Sequence, residues 1–489
     1  MRRQNPINLL DRRVFCTGTA AAFLVPNVAR GETATAVEFP HLSAQVAEFA
    51  AGFDLKSAPA AAVERTRVAF IDTVGVMLAG SQEGAAKIVR EMVQLEGAKP
   101  AATVVGSTLR TSPQLAALAN GVASHALDFD LSYLQGQLTA SLIPALLALG
   151  ESLNATQADI VAAYIVGFEV ASRLSRSNPN HNGGGAWHAT GTIGTIAAAA
   201  ASARMLKVPA AAIPDVVGIA VSMASGVNAN YGTMTKPLHT GHAARNGIVA
   251  AMLGSRGFTS NPAAIEGRGG FAHTFARGLE WNPQPFSDLG RTYDLAERGF
   301  RLKRYPCGGV VHTAIDAALI IRDKLGPATA EIATIHAGIS KYAADRAKPE
   351  YPADTEAAKF NLHYVVGYSL AHGLPKLHAF EAAARDDARV KALAQLVAVT
   401  IDPEFPDARE NYPTRLKVTL KDGRTFEEVR YQASGAQRFP MSQDQIEEKF
   451  LDCATHAVSR SDANVILAVL RGLGEQPSLH ELWPLLRRA

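Results

Sequence analysis

Basic side chains stand just ahead of predicted helices at three places in this 489-residue sequence. The helices are predicted to begin near residues 190, 240 and 308, the first of them capped by Thr190. The basic residues ahead of them are, in chain order, His188, Lys236, His239, Lys303 and Arg304. A helix N-terminus offers free backbone N–H groups and a partial positive charge, so it attracts anions and disfavours cations. One such residue alone is more often a surface residue, but three junctions together predict a pocket for a substrate with several carboxylates.

A histidine and two acids follow one another where another predicted helix ends. The segment is His125-Ala-Leu-Asp128-Phe-Asp130, and its helix begins at Ser112-Pro113. A spacing of three residues predicts that His125 and Asp128 share one helix face. A carboxylate beside cations can be a general base, or it can hold a lysine or histidine in place. The alternative is an ordinary helix end whose side chains are satisfied by solvent.

Motifs of the common metal, nucleotide and serine-hydrolase sites are missing from the sequence. It contains no HExxH, no GxxxxGK[ST], no strand followed by GxGxxG and no GxSxG. The glycine-rich segment 182–185 precedes a Trp-His pair rather than a Walker lysine, which favours a loop. Cys16, Cys307 and Cys453 stand far apart and cannot form a CxxC zinc site or a four-cysteine cluster. We therefore predict no metal ion.

The composition is that of a globular protein of two domains. Apolar residues make up 47% and charged residues 19%, which excludes disorder as the dominant state. The net charge of +3 is too small for a nucleic-acid-binding surface. Its apolar stretches are too short or are interrupted by proline or arginine, so we expect no membrane span.

The elements that must position these residues are mostly helical. Residues 41–297 show helical periodicity throughout, and 190–207 is almost entirely Ala, Gly and Thr, which predicts a central, buried helix. Residues 298–434 mix helices with predicted strands at 332–340, 397–401, 415–420 and 425–431, the last two joined at Asp422-Gly423. Residues 435–489 are helical again and are expected to pack on the first domain. The predicted fold is therefore mostly α, a large all-helical domain with a smaller α+β lid domain.

The first 36 residues resemble a twin-arginine export leader. Arg12 and Arg13 precede a mildly apolar stretch, and Ala34-Thr35-Ala36 follows as a small-x-small site. With such a leader the protein would fold in the cytoplasm and act in the periplasm. The alternative is a disordered basic tail, which leaves the protein in the cytoplasm.

Several segments together resemble the MmgE/PrpD family, from about residue 42 to the C-terminus. This family includes 2-methylcitrate dehydratase, cis-aconitate decarboxylase and iminodisuccinate epimerase. The segments are Phe70-Ile-Asp-Thr-Val-Gly75, His125–Asp130, Trp187-His188, Thr235-Lys-Pro-Leu-His239 and Lys303-Arg-Tyr-Pro-Cys307. The resemblance implies a homodimer without a cofactor, with its active site between the two domains.

Site residues follow from the resemblance by position. It implies a catalytic set of Asp128, His188, Lys236 and Lys303, and a substrate-binding set of Ser132, Gln137, His239 and Arg304.

The sequence also departs from the family pattern close to Asp128. Leu131 replaces an acid, Ser132 stands for a threonine, and Gln137 falls where the family has a histidine. Glutamine can hydrogen-bond a carboxylate but cannot transfer a proton near neutral pH. Gly308 stands where some members carry another histidine.

These residues predict a cofactor-independent lyase, most simply a hydro-lyase of the 2-methylcitrate dehydratase kind, acting on a small di- or tricarboxylic acid. Lys236 and Lys303 would hold carboxylate and enolate-like charge, and His188 would transfer the proton, supported by Asp128. Decarboxylation remains open, since it needs charge stabilisation and one protonation. Epimerisation needs two proton-transfer groups, which Gln137 disfavours. A carboxylate-binding protein without catalysis is the alternative from another class.

Overall fold

A computed structural model describes residues 41–134, 136–178, 181, 186–276, 281–345, 350–406 and 411–487. The predicted leader in residues 1–36 and the glycine-rich segment 182–185 lie outside the described residues. Predictions about the leader and the compartment therefore stay predictions.

Helices make up most of the first part of the chain. Their bounds are α1 Leu42–Gly52, α2 Ala60–Gly80, α3 Gly84–Leu95, α4 Pro113–His125, α5 Thr139–Leu153, α6 Gln157–Ser177, α7 Ala189–Met205, α8 Ile213–Met223, α9 Thr235–Gly254, α10 Phe271–Ala276 and α11 Asp294–Glu297. Two short antiparallel strands, β1 Ala102–Thr103 and β2 Arg110–Thr111, lie before α4.

The second part combines nine further described helices with a four-stranded sheet. The helices are α12 His312–Leu325, α13 Lys341–Ala344, α14 Thr355–Ala358, α15 Leu362–His372, α16 Ala382–Arg385, α17 Ala388–Gln395, α18 Gln443–Ala454, α19 Arg460–Arg471 and α20 Leu482–Leu486. The strands are β3 Ile332–Ile339, β4 Val397–Ile401, β5 Thr414–Leu420 and β6 Thr425–Arg430.

The helical core forms around α7, which is buried along almost its whole length. Its alanine, glycine and threonine side chains are small, so neighbouring helices can pack close to it. Helices α4 and α9 also approach closely, at a pair of glycines. A Cβ added to Gly121 would lie 2.7 Å from the Cα of Gly241, and one added to Gly241 would lie 2.4 Å from the Leu118 carbonyl oxygen. These two helices carry His125 and Lys236 at their ends, so their spacing sets the geometry of the site.

The sheet has the order β4-β3-β5-β6. Strands β3 and β4 are parallel, whereas β5 is antiparallel to both β3 and β6. The β5–β6 connection is the predicted Asp422-Gly423 turn, in which Gly423 has a φ of +87° and thus a backbone that favours glycine. One face of β5 is buried at Leu416, Val418 and Leu420, the alternation of a sheet packed on one side.

The two larger hydrophobic cores of the described residues follow this division of the chain. The first takes its residues from 42–302 and 441–486, and the second from 305–420. Helices α18, α19 and α20 thus return to the helical core, and the mostly α fold with a smaller α+β region is confirmed. All described residues belong to one compact unit, and the exact domain limits of 41–297 and 298–434 stay predictions. Of the helices that the structure describes, none has both the length and the hydropathy needed to cross a bilayer.

Candidate active site

A cleft of about 2140 Å³ lies between the helical and α+β regions, with residues of both in its walls. Five of the eight predicted site residues line it: Asp128, Ser132, Gln137, Lys236 and Lys303. The other three are not among its lining residues. His188 and His239 are buried behind the wall, and Arg304 approaches Ser434 at 3.5 Å.

Asp128 is the centre of the cleft's charged cluster. Lys236 Nζ donates to one of its carboxylate oxygens at 2.7 Å, and Lys303 Nζ donates to the other at 2.7 Å. Lys303 also donates to the backbone carbonyl of Asp128. Asp128 has a φ of +52°, a left-handed conformation that is uncommon outside glycine. The lysines therefore hold both the side chain and the turn that presents it.

These contacts fix the charge state of the carboxylate. Burial alone would raise the pKa of Asp128, but the ammonium groups of Lys236 and Lys303 outweigh it and hold that pKa well below its usual range. A carboxylate that is held so firmly in its ionised form is a weak base. Of the two roles predicted for Asp128, the geometry favours holding the lysines over accepting a proton.

The elements that present these residues differ in detail from the sequence prediction. Helix α4 ends at His125, so Asp128 lies beyond the helix in the left-handed turn and does not share a helix face with His125. Helix α9 begins at Thr235, five residues earlier than predicted, which places Lys236 and His239 inside its first turns. The sequence prediction placed Lys236 and His239 ahead of the helix, and no side-chain cap hydrogen bond marks the observed start.

The first turn of α7 also differs from the prediction. His188 occupies the N-cap position without a side-chain cap hydrogen bond, and Thr190 lies within the helix. Instead of capping, Thr190 Oγ1 accepts from the backbone N–H of Gln137 at 3.0 Å and donates to its side-chain oxygen at 3.3 Å. Gln137 is thereby held in the cleft wall.

His188 does not have the partner predicted for it. Its Nδ1 lies 3.2 Å from Nδ1 of His239, so one ring donates to the other, and no hydrogen bond joins it to Asp128 among the described residues. Burial, followed by the charges of His125 and Lys236, lowers the pKa of His188 well below its usual range. The ring is therefore neutral at pH 7 and lies behind Tyr231, which lines the cleft and packs edge-on at 5.1 Å.

His125 lines the cleft, whereas His188 is not among its lining residues. Its Nδ1 lies 3.0 Å from both carboxylate oxygens of Asp130, and its ring stacks on His188 with centroids 5.6 Å apart. Its Nε2 is buried without a hydrogen-bond partner among the described residues. The sequence prediction named His125 and Asp130 as part of a motif but left both out of the site. The sequence did contain a signal for them, because Asp130 is the only other acid of the segment 125–130 and lies two residues after Asp128.

The loop that carries Asp128 and Asp130 is held from beneath by the C-terminal part of the chain. Lys449 of α18 donates to Asp72 Oδ1 at 2.5 Å and to the carbonyl of Phe129 at 2.8 Å. Asp72, on α2, also accepts from the backbone N–H of Leu131 at 3.0 Å. Both charged groups are buried, so this ion pair ties α2, α18 and the site loop together.

Arg301 is a cleft residue that the sequence prediction missed. It forms an antiparallel bridge with Ser132, in which each backbone N–H donates to the other residue's carbonyl. Residues two apart in an extended segment point to the same side, so Arg301 and Lys303 face the cleft together. No ion pair or side-chain hydrogen bond joins Arg301 to another of the described residues. Its guanidinium is therefore available to an anion, whereas the two lysines are already paired.

The cluster of His125, Asp128 and Asp130 also has the spacing of a metal site, with one ligand atom of each lying within 4.8 Å of the others. The chemistry around it does not fit a cation. Both oxygens of Asp128 already accept from ammonium groups, and Asp130 faces the ring of His125. A metal ion here would meet two lysines at close range.

Comparison with known protein families gives two matches that together span most of the chain. The MmgE/PrpD N-terminal domain matches residues 44–284, and the MmgE/PrpD C-terminal domain matches residues 305–474. The chain belongs to the MmgE/PrpD family. The first match covers the helices that carry Asp128 and Lys236, and the second begins just after Lys303.

Curated relatives of this MmgE/PrpD protein include several decarboxylases. Cis-aconitate decarboxylase of Homo sapiens is 27% identical over 439 residues, 87% of this chain and 90% of the relative. Cis-aconitate decarboxylase of Aspergillus terreus is 25% identical over 476 residues, 91% of this chain and 96% of the relative. A cis-aconitate decarboxylase-like protein of Aspergillus oryzae is 28% identical over 429 residues, 82% and 88% of the two chains. These relatives agree with the expected lyase class, and they give no support to a hydro-lyase in particular.

Proposed function

We propose that this MmgE/PrpD protein is a cofactor-independent lyase that decarboxylates a small unsaturated di- or tricarboxylic acid of the cis-aconitate kind. The observation that carries the proposal is the Lys236–Asp128–Lys303 cluster, in which one carboxylate lies 2.7 Å from each of two ammonium groups. One carboxylate against two lysines leaves a net positive charge. Arg301 adds a further positive charge on the same side of the cleft and makes no ion pair with the other described residues.

Decarboxylation needs what this cluster supplies. When a carboxylate leaves as CO₂, its bonding electrons pass into the rest of the substrate, and fixed cations stabilise that charge in the transition state. One protonation then completes the reaction. Dehydration needs both a base for the C–H proton and an acid for the hydroxyl group. Asp128 is a weak base because the lysines keep it ionised, so the cluster favours the reaction that needs no base.

The experiment compares the two reactions in parallel assays. The full chain is incubated with cis-aconitate and, separately, with 2-methylcitrate, and products are followed by proton NMR together with CO₂ release. We expect CO₂ and an allylically shifted, decarboxylated acid from cis-aconitate. An alkene from 2-methylcitrate with no CO₂ from cis-aconitate would instead establish the hydro-lyase. Thermal stabilisation by either acid with no product would favour a binding protein.

Substitution of Lys236 tests the cluster itself. Lys236→Ala should lower the turnover number at least about 100-fold, since one preorganised charge donor contributes on that scale. Lys417→Ala is the matched control, because Lys417 is exposed on β5 and does not line the cleft. Near-wild-type turnover of Lys236→Ala would contradict the assignment.

We also propose, from the family resemblance, that the protein is a homodimer. Sedimentation equilibrium of the full chain tests this, and a mass near the 51.7 kDa of one chain would contradict it.

A further inference from the structure

The His125–Asp130 pair lies in the wall of the cleft next to Asp128, and the proposed mechanism has not yet used it. The side chains of His125 and Asp130 are 0% and 1% exposed. Because a carboxylate can only accept, the hydrogen between them belongs to Nδ1 of His125. Ring orientation is further fixed by His188 of α7, which stacks on His125 at an interplanar angle of 28°.

This arrangement leaves Nε2 of His125 as the unsatisfied atom. It is buried and has no hydrogen-bond partner among the described residues, while the residue itself lines the cleft. A buried polar atom without a partner costs about 1–3 kcal/mol, so such an atom at a cleft is suited to a ligand. A ring nitrogen of His125 also lies within 4.8 Å of an oxygen of Asp128, which places the ring beside the two lysines.

Other imidazoles at the cleft are less suited to giving a proton. His312 donates from Nε2 to the carbonyl of Cys307 at 3.2 Å, which leaves an acceptor nitrogen on its other side. Burial also lowers the pKa of His312 to about 3, so the ring is neutral. His456 is exposed and makes no ion pair with the other described residues. Of these three, His125 alone lies beside a buried carboxylate, and that contact fixes the orientation of its ring.

We propose that His125 is the proton donor of the reaction and that Asp130 is a positioning residue that orients its ring. This inference rests on the proposed lyase function and assigns the one proton-transfer step that function requires. Gln137 cannot supply that proton, because an amide does not ionise near neutral pH.

The step balances for an acid of the cis-aconitate kind. The bond between the departing carboxylate and its CH₂ carbon breaks, and its electron pair forms the new C=C bond. The displaced pair of the old C=C bond takes the proton from Nε2 of His125, whose ring carries a hydrogen on both nitrogens before this step and keeps the one on Nδ1, and CO₂ leaves. His125 then regains a proton from solvent, so each turnover consumes one proton. The charged and titratable groups around the ring during this step are Asp130, Asp128, His188, His239, Lys236 and Lys303.

The test compares His125→Asn, Asp130→Asn and a matched control. The asparagine of His125→Asn can still donate to Asp130 but cannot transfer a proton. We expect its kcat to fall at least about 100-fold with KM changed less than about threefold, which is the signature of a lost proton donor. Asp130→Asn should lower kcat less than His125→Asn does, with KM changed less than about threefold, because the ring keeps its proton-transfer nitrogen but loses the carboxylate that orients it. His336→Asn should behave as wild type, since His336 is exposed on β3, where it hydrogen-bonds Thr400, and does not line the cleft.

Chemical rescue separates catalysis from folding. His125→Ala leaves a cavity beside the cleft, and added imidazole should restore part of the lost rate in this variant and none in Lys236→Ala. A His125→Asn enzyme that decarboxylates at the wild-type rate would overturn the assignment of His125 while leaving the proposed function intact. A wild-type protein that converts neither cis-aconitate nor 2-methylcitrate would overturn both the proposed function and the role of His125. A wild-type protein that only dehydrates would overturn the decarboxylase assignment, and the same variants would then be measured in the dehydration assay.

Discussion

Arg301 is, at the scale of one residue, the side chain that we expect to bind a second substrate carboxylate. Lys236 and Lys303 are already paired with Asp128, whereas Arg301 makes no ion pair with the other described residues, so its guanidinium is suited to a second substrate carboxylate. A charge-assisted hydrogen bond contributes about 1.5–3 kcal/mol. Arg301→Ala should therefore raise KM roughly 10- to 100-fold with a smaller effect on kcat. Steady-state kinetics check this, with the exposed Arg268→Ala as control, and an unchanged KM would contradict it.

Buried neutral histidines make the folded state sensitive to acid. Burial lowers the pKa of His312 to about 3, so this ring stays neutral in the folded protein and protonates on unfolding below about pH 6.5. The stability it contributes is present above pH 6.5 and is lost as the pH falls toward 3. The free energy of unfolding should decrease by about 1.4 kcal/mol per pH unit for this group. His312→Gln should remove that component of the slope in urea titrations at pH 7, 6 and 5, and an unchanged slope would contradict the prediction.

The sequence predicted the charged cluster better than the proton-transfer group. Asp128, Lys236 and Lys303 were named from their types and positions, and the structure brings all three together. His188 and His125 could not be told apart, because which imidazole reaches the cleft depends on the turn after α4 and on the packing of α7. Arg301 has no local signal at all, since its position depends on a bridge to Ser132, 169 residues earlier in the chain.

At the scale of elements, the approach of α4 to α9 at Gly121 and Gly241 controls the site. A methyl group on Gly241 would lie 2.4 Å from the Leu118 carbonyl, so the two helices would have to separate. Gly241→Ala should cost about 1–3 kcal/mol of stability and lower activity, because His125 and Lys236 would move apart. Gly52→Ala is the control, since nothing lies within 4 Å of a Cβ there. Thermal unfolding and turnover measure both effects, and equal behaviour of the two variants would contradict the argument.

Strand positions were predictable to within about one residue, because alternation and the Asp-Gly turn are local signals. The observed strands differ from the predicted ranges by at most one residue at either end, in each of β3, β4, β5 and β6. Helix starts were less predictable. The start of α9 was placed five residues late, because tertiary contacts of Lys236 with Asp128, rather than a capping side chain, stabilise its first turn.

At the scale of the whole molecule, the Asp72–Lys449 pair connects α2 with α18 and supports the site loop. Removing one partner of a buried ion pair leaves an uncompensated charge, which costs about 3–5 kcal/mol. Lys449→Met should therefore destabilise the protein strongly. The double variant Asp72→Asn with Lys449→Met should recover at least half of that loss, because the amide oxygen can still accept from Leu131. Urea unfolding of Asp72→Asn, Lys449→Met and the double variant checks this, and additive losses would contradict it.

Packing of the C-terminal helices on the helical core was predicted from the return of helical periodicity after residue 435. The role of this packing in supporting the site loop was not predicted, because no local pattern shows that Lys449 meets an acid 377 residues earlier. The same limit applies to the cleft, whose walls combine segments that are distant in the chain.

The Asp72–Lys449 pair also has a consequence for protein synthesis. Its two residues are 377 positions apart, so at about 5–20 residues per second the lysine follows the aspartate by roughly 20–75 s. During that interval the helices around α2 can begin to pack, but the segment under Asp128 and Asp130 lacks its anchoring ammonium group. The candidate site is thus among the last parts of the nascent chain to mature. A chain released before Lys449 would keep most of its helices but would lack a complete active site.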